Sequence, residues 1–143
     1  MSGTQMLLVL LATILFSTIF ISTYNNMFNM VELAYQESFI FQGLKLADKY
    51  FQKIEAETLG EIYTFSEMNS IYSNLSDTTL INGIVFHHNI QANYCDSIGN
   101  DVTPTSSYQR FDISMWAIPT SNDTIYIGTS TDPLSLLITE MEF

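Results

Sequence analysis

Residues Met6 to Ile21 read MLLVLLATILFSTIFI, an unbroken apolar run, and no charged residue precedes Glu32. The only interruptions are the small hydroxyls Thr13, Ser17 and Thr18. Extended from Gln5 to Tyr24, the run has about 20 residues, enough for a helix to cross a bilayer. Such a segment must be kept from water by lipid or by other helices. A secretory signal peptide would carry a basic start, a shorter apolar core and a small-residue cleavage site. None is evident, so the segment is read as retained. Because no Lys or Arg occurs before Lys45, the positive-inside rule has nothing to count. Only the bulk on the C-terminal side argues for an inside N-terminus.

From Thr4 to about Glu57 there is no Pro and, after Gly3, one Gly, Gly43. This predicts a nearly continuous helix over residues 1–58, apolar over about 4–24 and amphipathic over 25–58. In the second half Leu33, Ile40, Leu44, Ala47, Phe51 and Ile54 fall on a 4-and-3 spacing, the stripe a sheet would cover. A second apolar line, Tyr35, Phe39, Leu46 and Tyr50, is expected to stay open and to serve as a subunit contact. Gly60 is the expected left-handed terminator.

Residues 59–82, rich in Ser, Asn and Thr, read as a connector with a short helical turn near Ser66 to Tyr72. The head, residues 83–143, alternates with period two. Ile84, Phe86, His88, Ile90, Ala92 and Tyr94 form one face of a first strand. Phe111, Ile113, Met115 and Ala117 form one face of a second, with Arg110, Asp112 and Ser114 opposite. Pro119 to Asp123 reads as a turn into a strand at Thr124 to Gly128, and Leu136 to Phe143 as a fourth. The expected fold is α+β: one long helix packed under an antiparallel sheet of three or four strands.

The roughly 80 residues left after the helix, connector included, are few for independent stability and are expected to borrow core from the helix. The formal net charge of -11, from 15 acidic and 4 basic side chains, opposes nucleic acid and anionic surfaces as partners. An apolar share of 47% beside 13% charged residues is high for a soluble monomer.

This organisation, an apolar half-helix continuous with an amphipathic half under an antiparallel sheet, resembles type IV pilins and the pseudopilins of secretion systems. The resemblance covers the whole chain and is architectural. It implies a structural subunit whose apolar helix sits in the inner membrane before assembly and then bundles with copies of itself in a cell-surface filament. The implied partners are the chain itself, the membrane and a pilus or secretion assembly machinery, with no nucleic acid and no cofactor. The implied core contacts are Met6, Leu7, Leu10, Ile14, Phe16, Ser17, Phe20 and Ile21, and small Ala12, Thr13, Ser17 and Thr18 favour close helix approach. Members of the family usually carry a basic leader and a Glu that meets a neighbour's N-terminal amine. Here Gln5 occupies that register if Met1 is the processed end, and Leu8 does so if cleavage follows Gly3. A Gln oxygen accepts a hydrogen bond from an ammonium without the charge term. The alternative is a monomeric membrane-anchored extracytoplasmic binding module, or a minor pseudopilin.

No nucleophile elbow, phosphate loop or dinucleotide glycine pattern is present, and an enzyme is not expected. His87 and His88, adjacent in a strand, point to opposite faces and cannot grip one metal together. Asp96, Asn100 and Asp101 offer oxygens to calcium, but their spacing is not that of an EF-hand, and a backbone turn accounts for them better. Cys95 reads as structural. Asn74-Leu75-Ser76 and Asn122-Asp123-Thr124 are glycosylation sequons in expected loops. The aromatic residues read as packing rather than as a conduction path.

Overall fold

The computed structural model describes residues 2–102, 106–119 and 124–140. The fold is α+β, with elements α1 (Gly3–Leu59), α2 (Phe65–Tyr72), β1 (Leu75–Ile81), β2 (Ile84–Cys95), β3 (Tyr108–Ala117), β4 (Ile125–Ile127) and β5 (Leu134–Thr139). Contacts divide the chain into two compact units, residues 1–38 and 39–143. The layout is the pilin-like one expected from the sequence. The expectations for Met1, for Pro119 to Asp123 and for the Asn122 sequon fall wholly or partly outside the described residues.

The helix begins on a local signal. Ser2 donates its backbone N–H to Gln5 Oε1 at 3.3 Å, while Gln5 and Met6 N–H groups donate to the Ser2 carbonyl. This is the reach-back half of a capping box, S-x-x-Q. Its end differs from expectation. Glu61, with φ 49°, takes the left-handed conformation in place of Gly60. The Glu61 N–H donates to the Thr58 carbonyl at 3.3 Å and the Ile62 N–H to the Glu57 carbonyl at 3.1 Å. That pair of bonds is a Schellman motif, and the glycine sits one residue too early to occupy its left-handed position.

In the second unit, the part of α1 from Phe39 onward packs on the sheet. Its buried residues are Gly43, Leu46, Ala47 and Ile54, with Tyr50 and Phe51 partly buried against the core. Two expectations are corrected here. Leu46 and Tyr50 do not form an open line, and Ile40 and Leu44 are exposed rather than covered. The buried face lies between the two apolar lines, rotated by roughly 60° from the predicted stripe at 100° per residue. Gly43 is the reason. A Cβ there would stand 2.5 Å from Ile127 Cδ1 and 3.4 Å from Phe86 Cε1. The bare backbone lets helix and sheet approach closely and centres the contact on residue 43. Phe39 is half-buried and Tyr35 is exposed.

The sheet is antiparallel in the order β1-β2-β3-β4, with β5 also pairing β3. The expected connector therefore contains a strand and a helix. Thr64 caps α2 through a full capping box with Glu67. Asn82 and Gly83, with φ 51° and 82°, then make the two-residue turn that pairs Ile81 with Ile84. Asn-Gly favours this geometry because both turn residues need positive φ. Strand β1 was hard to see because, as an edge strand, its short run LSDTTLI is mostly exposed.

β4 and β5 lie along the same edge of β3, β4 opposite Met115 to Ala117 and β5 opposite Tyr108 to Ile113. The intervening residues Gly128 to Pro133 leave the edge as a loop. Gly128 makes the exit, with φ 75° and a virtual Cβ only 2.9 Å from the Ile113 carbonyl oxygen.

The helix-facing side of the sheet presents Phe86, Ile90, Ala92, Phe111, Ile113, Met115, Ala117 and Ile127 to Leu46, Ala47, Ile54, Met68 and Tyr72. Tyr72 meets Phe111 edge to face, with ring centroids 5.8 Å apart. Its hydroxyl donates to Glu57 Oε2 at 2.7 Å, tying α2 to α1. Burial and this carboxylate together push the phenol well above its ordinary range.

Two substitutions check this account by urea unfolding. Gly43→Leu should destabilise by about 1–3 kcal/mol, because the added side chain meets Ile127 and Phe86. Glu61→Gly should stabilise by about 1 kcal/mol, by relieving a left-handed non-glycine residue.

Candidate functional site

In the first unit, the apolar segment is helical and exposed throughout. Met6, Leu7, Leu10, Ile14, Phe20 and Ile21 each keep more than half of their surface open, and Phe16 is 71% exposed. The same exposure continues through Tyr24, Met27, Phe28, Met30 and Val31. By length and composition, α1 is long and apolar enough to cross a membrane.

Four of its hydroxyls donate back to the helix's own carbonyls. Thr13 Oγ1 donates to the Val9 carbonyl at 2.8 Å, Ser17 Oγ to the Thr13 carbonyl at 2.8 Å, and Thr23 Oγ1 to the Ile19 carbonyl at 2.9 Å. Thr18 Oγ1 is shared between the Ile14 and Leu15 carbonyls. A hydroxyl bonded back to its own helix carries little polar cost into an apolar medium. Phe16 and Phe20, one turn apart, stack with centroids 6.4 Å apart. Gln5 is engaged with Ser2 of its own chain.

The outer face of the sheet, away from α1, is polar. Cross-strand partners place His87, Asn89, Gln91 and Asn93 of β2 beside Trp116, Ser114, Asp112 and Arg110 of β3. His87 and Trp116 stack with centroids 5.3 Å apart and planes 11° apart. The two histidines thus do face opposite ways, and His88 is buried.

Arg110 organises this face. Its Nε donates to both carboxylate oxygens of Asp112 at 2.9 and 3.0 Å, its Nη2 pairs with Asp101 at 2.9 Å, and its Nη1 donates to the Gly99 carbonyl. Ser135 Oγ completes Asp112 at 2.6 Å. Burial lowers the guanidinium pKa, but the bonds to Asp112 and the charge of Asp101 outweigh that effect and raise it.

The loop Asp96 to Asp101 is closed by its own side chains. Asp96 Oδ1 accepts the N–H groups of Ile98 and Asn100 at 3.0 and 2.8 Å, and its Oδ2 accepts the Asn100 amide at 3.0 Å. Those bonds to Asn100 hold the Asp96 carboxyl below its ordinary range. Of the calcium candidates, Asp96 is engaged by the turn and Asp101 by Arg110, while Asn100 is held through its amide nitrogen. Among the described residues no group of three or more His, Cys, Asp or Glu side chains is placed to hold a metal. Cys95, fully buried, has its thiol pushed up by burial first and by nearby carboxylates against the opposing pull of Arg110.

Two cavities have polar lining residues that bear on function. One of about 50 Å³ lies under the Gly128 to Pro133 loop, lined by Asn89, Gln91, Asp112, Ser114, Ser130 and Pro133. Among the described residues Asn89 Oδ1 is buried without a partner, and a polar space of this size suits ordered water. The other, about 290 Å³ at the C-terminal end of α1, is lined by Thr58, Glu61, Tyr63, Thr64, Phe65, Met68 and Glu140. Among the described residues its lining holds no histidine, cysteine or basic side chain.

The class this architecture defines is an α+β protein with a long, partly apolar N-terminal helix and an antiparallel sheet. Compared with family models, curated proteins and solved structures, the chain matches none.

Sequence reasoning missed Arg110 as the organiser of the outer face. The available signal was that the chain's single Arg stands two residues from Asp112, on the same strand face. Replacing it tests that role. Arg110→Met should cost about 2 kcal/mol in urea unfolding, because Asp112 loses a charge-assisted donor pair. Faster amide exchange at Ile98 and Asn100 should accompany it, since the loop loses its anchor.

Proposed function

We propose that the chain is the structural subunit of a type IV pilus-like filament, polymerising through its apolar N-terminal helix. What carries the proposal is the exposure of Met6 to Ile21 on a helix whose later turns complete the core of a folded head. A segment this apolar needs a non-aqueous neighbour, and lipid and a bundle of like helices both supply one. In this reading the precursor rests in the inner membrane, and Met6, Leu7, Leu10, Ile14, Phe16, Ser17, Phe20 and Ile21 then exchange lipid for copies of themselves. The head stays outside at the cell surface, and the role is structural rather than catalytic. The outer-face loops set the surface properties, and the net charge of -11 makes DNA capture an unsuitable task.

Gln5 supports a particular version of this reading. It is uncharged, and its oxygen already accepts one bond from Ser2 of the same chain, so in this reading subunit register rests on side-chain packing rather than on a charge contact between neighbours. Tyr35 and Phe39 keep their place as subunit-contact candidates. Leu46 and Tyr50 lose theirs to the core.

Leu10→Lys and Ile14→Lys test the proposal directly. Each places an ammonium in an apolar bundle, at a cost of several kcal/mol. Electron microscopy of sheared surface material should show filaments for the parent chain and none for either variant. Normal filaments from the lysine variants would remove the core assignment. Recovery of the parent chain only as dispersed protein in detergent-extracted membranes would favour the anchored monomer.

A further inference from the structure

His88 lies on the helix-facing side of β2 and is 1% exposed. Its ring centroid is 4.5 Å from that of Tyr50 on α1, with the planes at 42°. Among the described residues, neither Nδ1 nor Nε2 has a hydrogen-bond partner. Such a site suits a neutral imidazole poorly and an imidazolium much worse, since both ring N–H groups would then be charged, buried and unpartnered.

The surrounding groups are few. From β1, Asp77 stands opposite His88 in register, and from β3, Met115 does so. Asp77 is exposed, and its Oδ1 accepts the Thr78 N–H at 2.7 Å. On β2 the neighbour is His87, which faces the other way. On α1 the titratable group in contact is the Tyr50 phenol, while Asp48, Lys49 and Lys53 lie on exposed positions.

We propose that His88 is an acid-sensitive latch between sheet and helix: protonating its buried imidazole loosens the sheet from the α1 turns around Tyr50. Burial lowers the His88 pKa below its ordinary 6.5, and His87 adds to this, while Asp77 opposes it without overcoming it. The folded form therefore holds a neutral ring where the opened form holds a charged one. Stability is complete above the ordinary histidine range and declines as pH falls from there toward the depressed folded value. The window lies above that of ordinary carboxylates, so histidine loss is separable from general acid unfolding. The latch rests on the packing of the second unit and is independent of the filament proposal.

Thermal melting of the full chain in neutral detergent micelles tests it. Between about pH 7.5 and about pH 5 the melting temperature should fall by at least about 4 °C. His88→Phe, which keeps a ring of similar size and removes both nitrogens, should lose most of that fall. An equal fall in the variant would overturn the proposal. A direct readout on the parent chain guards against a variant that does not fold. The His88 ring proton resonance should keep its neutral position in the native spectrum down to the pH at which native amide peaks fade. A ring that takes up its proton while the native amide spectrum stays intact would also overturn it.

Discussion

The packing of the sheet on α1 is shaped by residue 43, which has no side chain. Ile127 and Phe86 occupy the space a Cβ would need, and around that contact Leu46, Ala47 and Ile54 close the core from the helix side. Strip those helix turns away and Phe86, Ile90, Phe111, Ile113 and Met115 would face water. Each fully buried side chain of this kind is worth about 1.5–3 kcal/mol. A small head has no surplus from which to lose several of them. The sheet therefore depends on the helix, and the apolar N-terminal half belongs to the same secondary element.

That dependence explains how the rest of the sheet can be irregular. The core needs one face of β2 and β3 to be unbroken, and it is, from Phe86 to Ala92 and from Gln109 to Ala117. The edge of β3 is under less constraint. It is paired by β4 at one end and β5 at the other, and the loop between them is released onto the polar side. There Arg110, Asp112 and Ser135 bind β3 to β5, and Asp101 with the Gly99 carbonyl fixes the β2–β3 loop to the same guanidinium. A single cation thus replaces on the outer face some of the order that apolar packing supplies on the inner one.

The long helix, the two central strands and their inward faces were legible because each shows its own periodicity over eight or more residues. The phase of the helix was not. Hydrophobic stripes count side chains, whereas the contact here is centred on a glycine, which has none to count. Strand β1 was hidden by exposure, since an edge strand whose residues mostly face water has little reason to alternate. Its hairpin was nonetheless written in Ile81-Asn82-Gly83-Ile84. The helix stop misled in the opposite direction, because a glycine in the right neighbourhood drew attention from the residue that takes the left-handed turn. Of the candidate site residues, the apolar set on α1 could be read from hydropathy alone. The engagement of Asp96 and Asp101 depends on loop closure and on Arg110, and these need coordinates.

The hydroxyl residues of the apolar half bear on how specific its contacts can be. Thr13, Ser17, Thr18 and Thr23 all return their protons to carbonyls one turn back. A free hydroxyl would seek a partner on a neighbouring helix and so favour one register over others. A hydroxyl that has already given its proton can only accept, and otherwise offers its small volume. Gln5 accepts one bond from the Ser2 N–H, and no charged side chain appears before Glu32. In the proposed filament, bonds donated by these four hydroxyls therefore contribute little between the helix halves. Shape must then set the register: small Ala12, Thr13, Ser17 and Thr18 against bulky Phe16 and Phe20. Lipid tails make no comparable demand on shape. This segment can therefore lie in a membrane in many orientations and in a bundle of its own copies in few, and its pattern of small and large side chains is where the two environments differ.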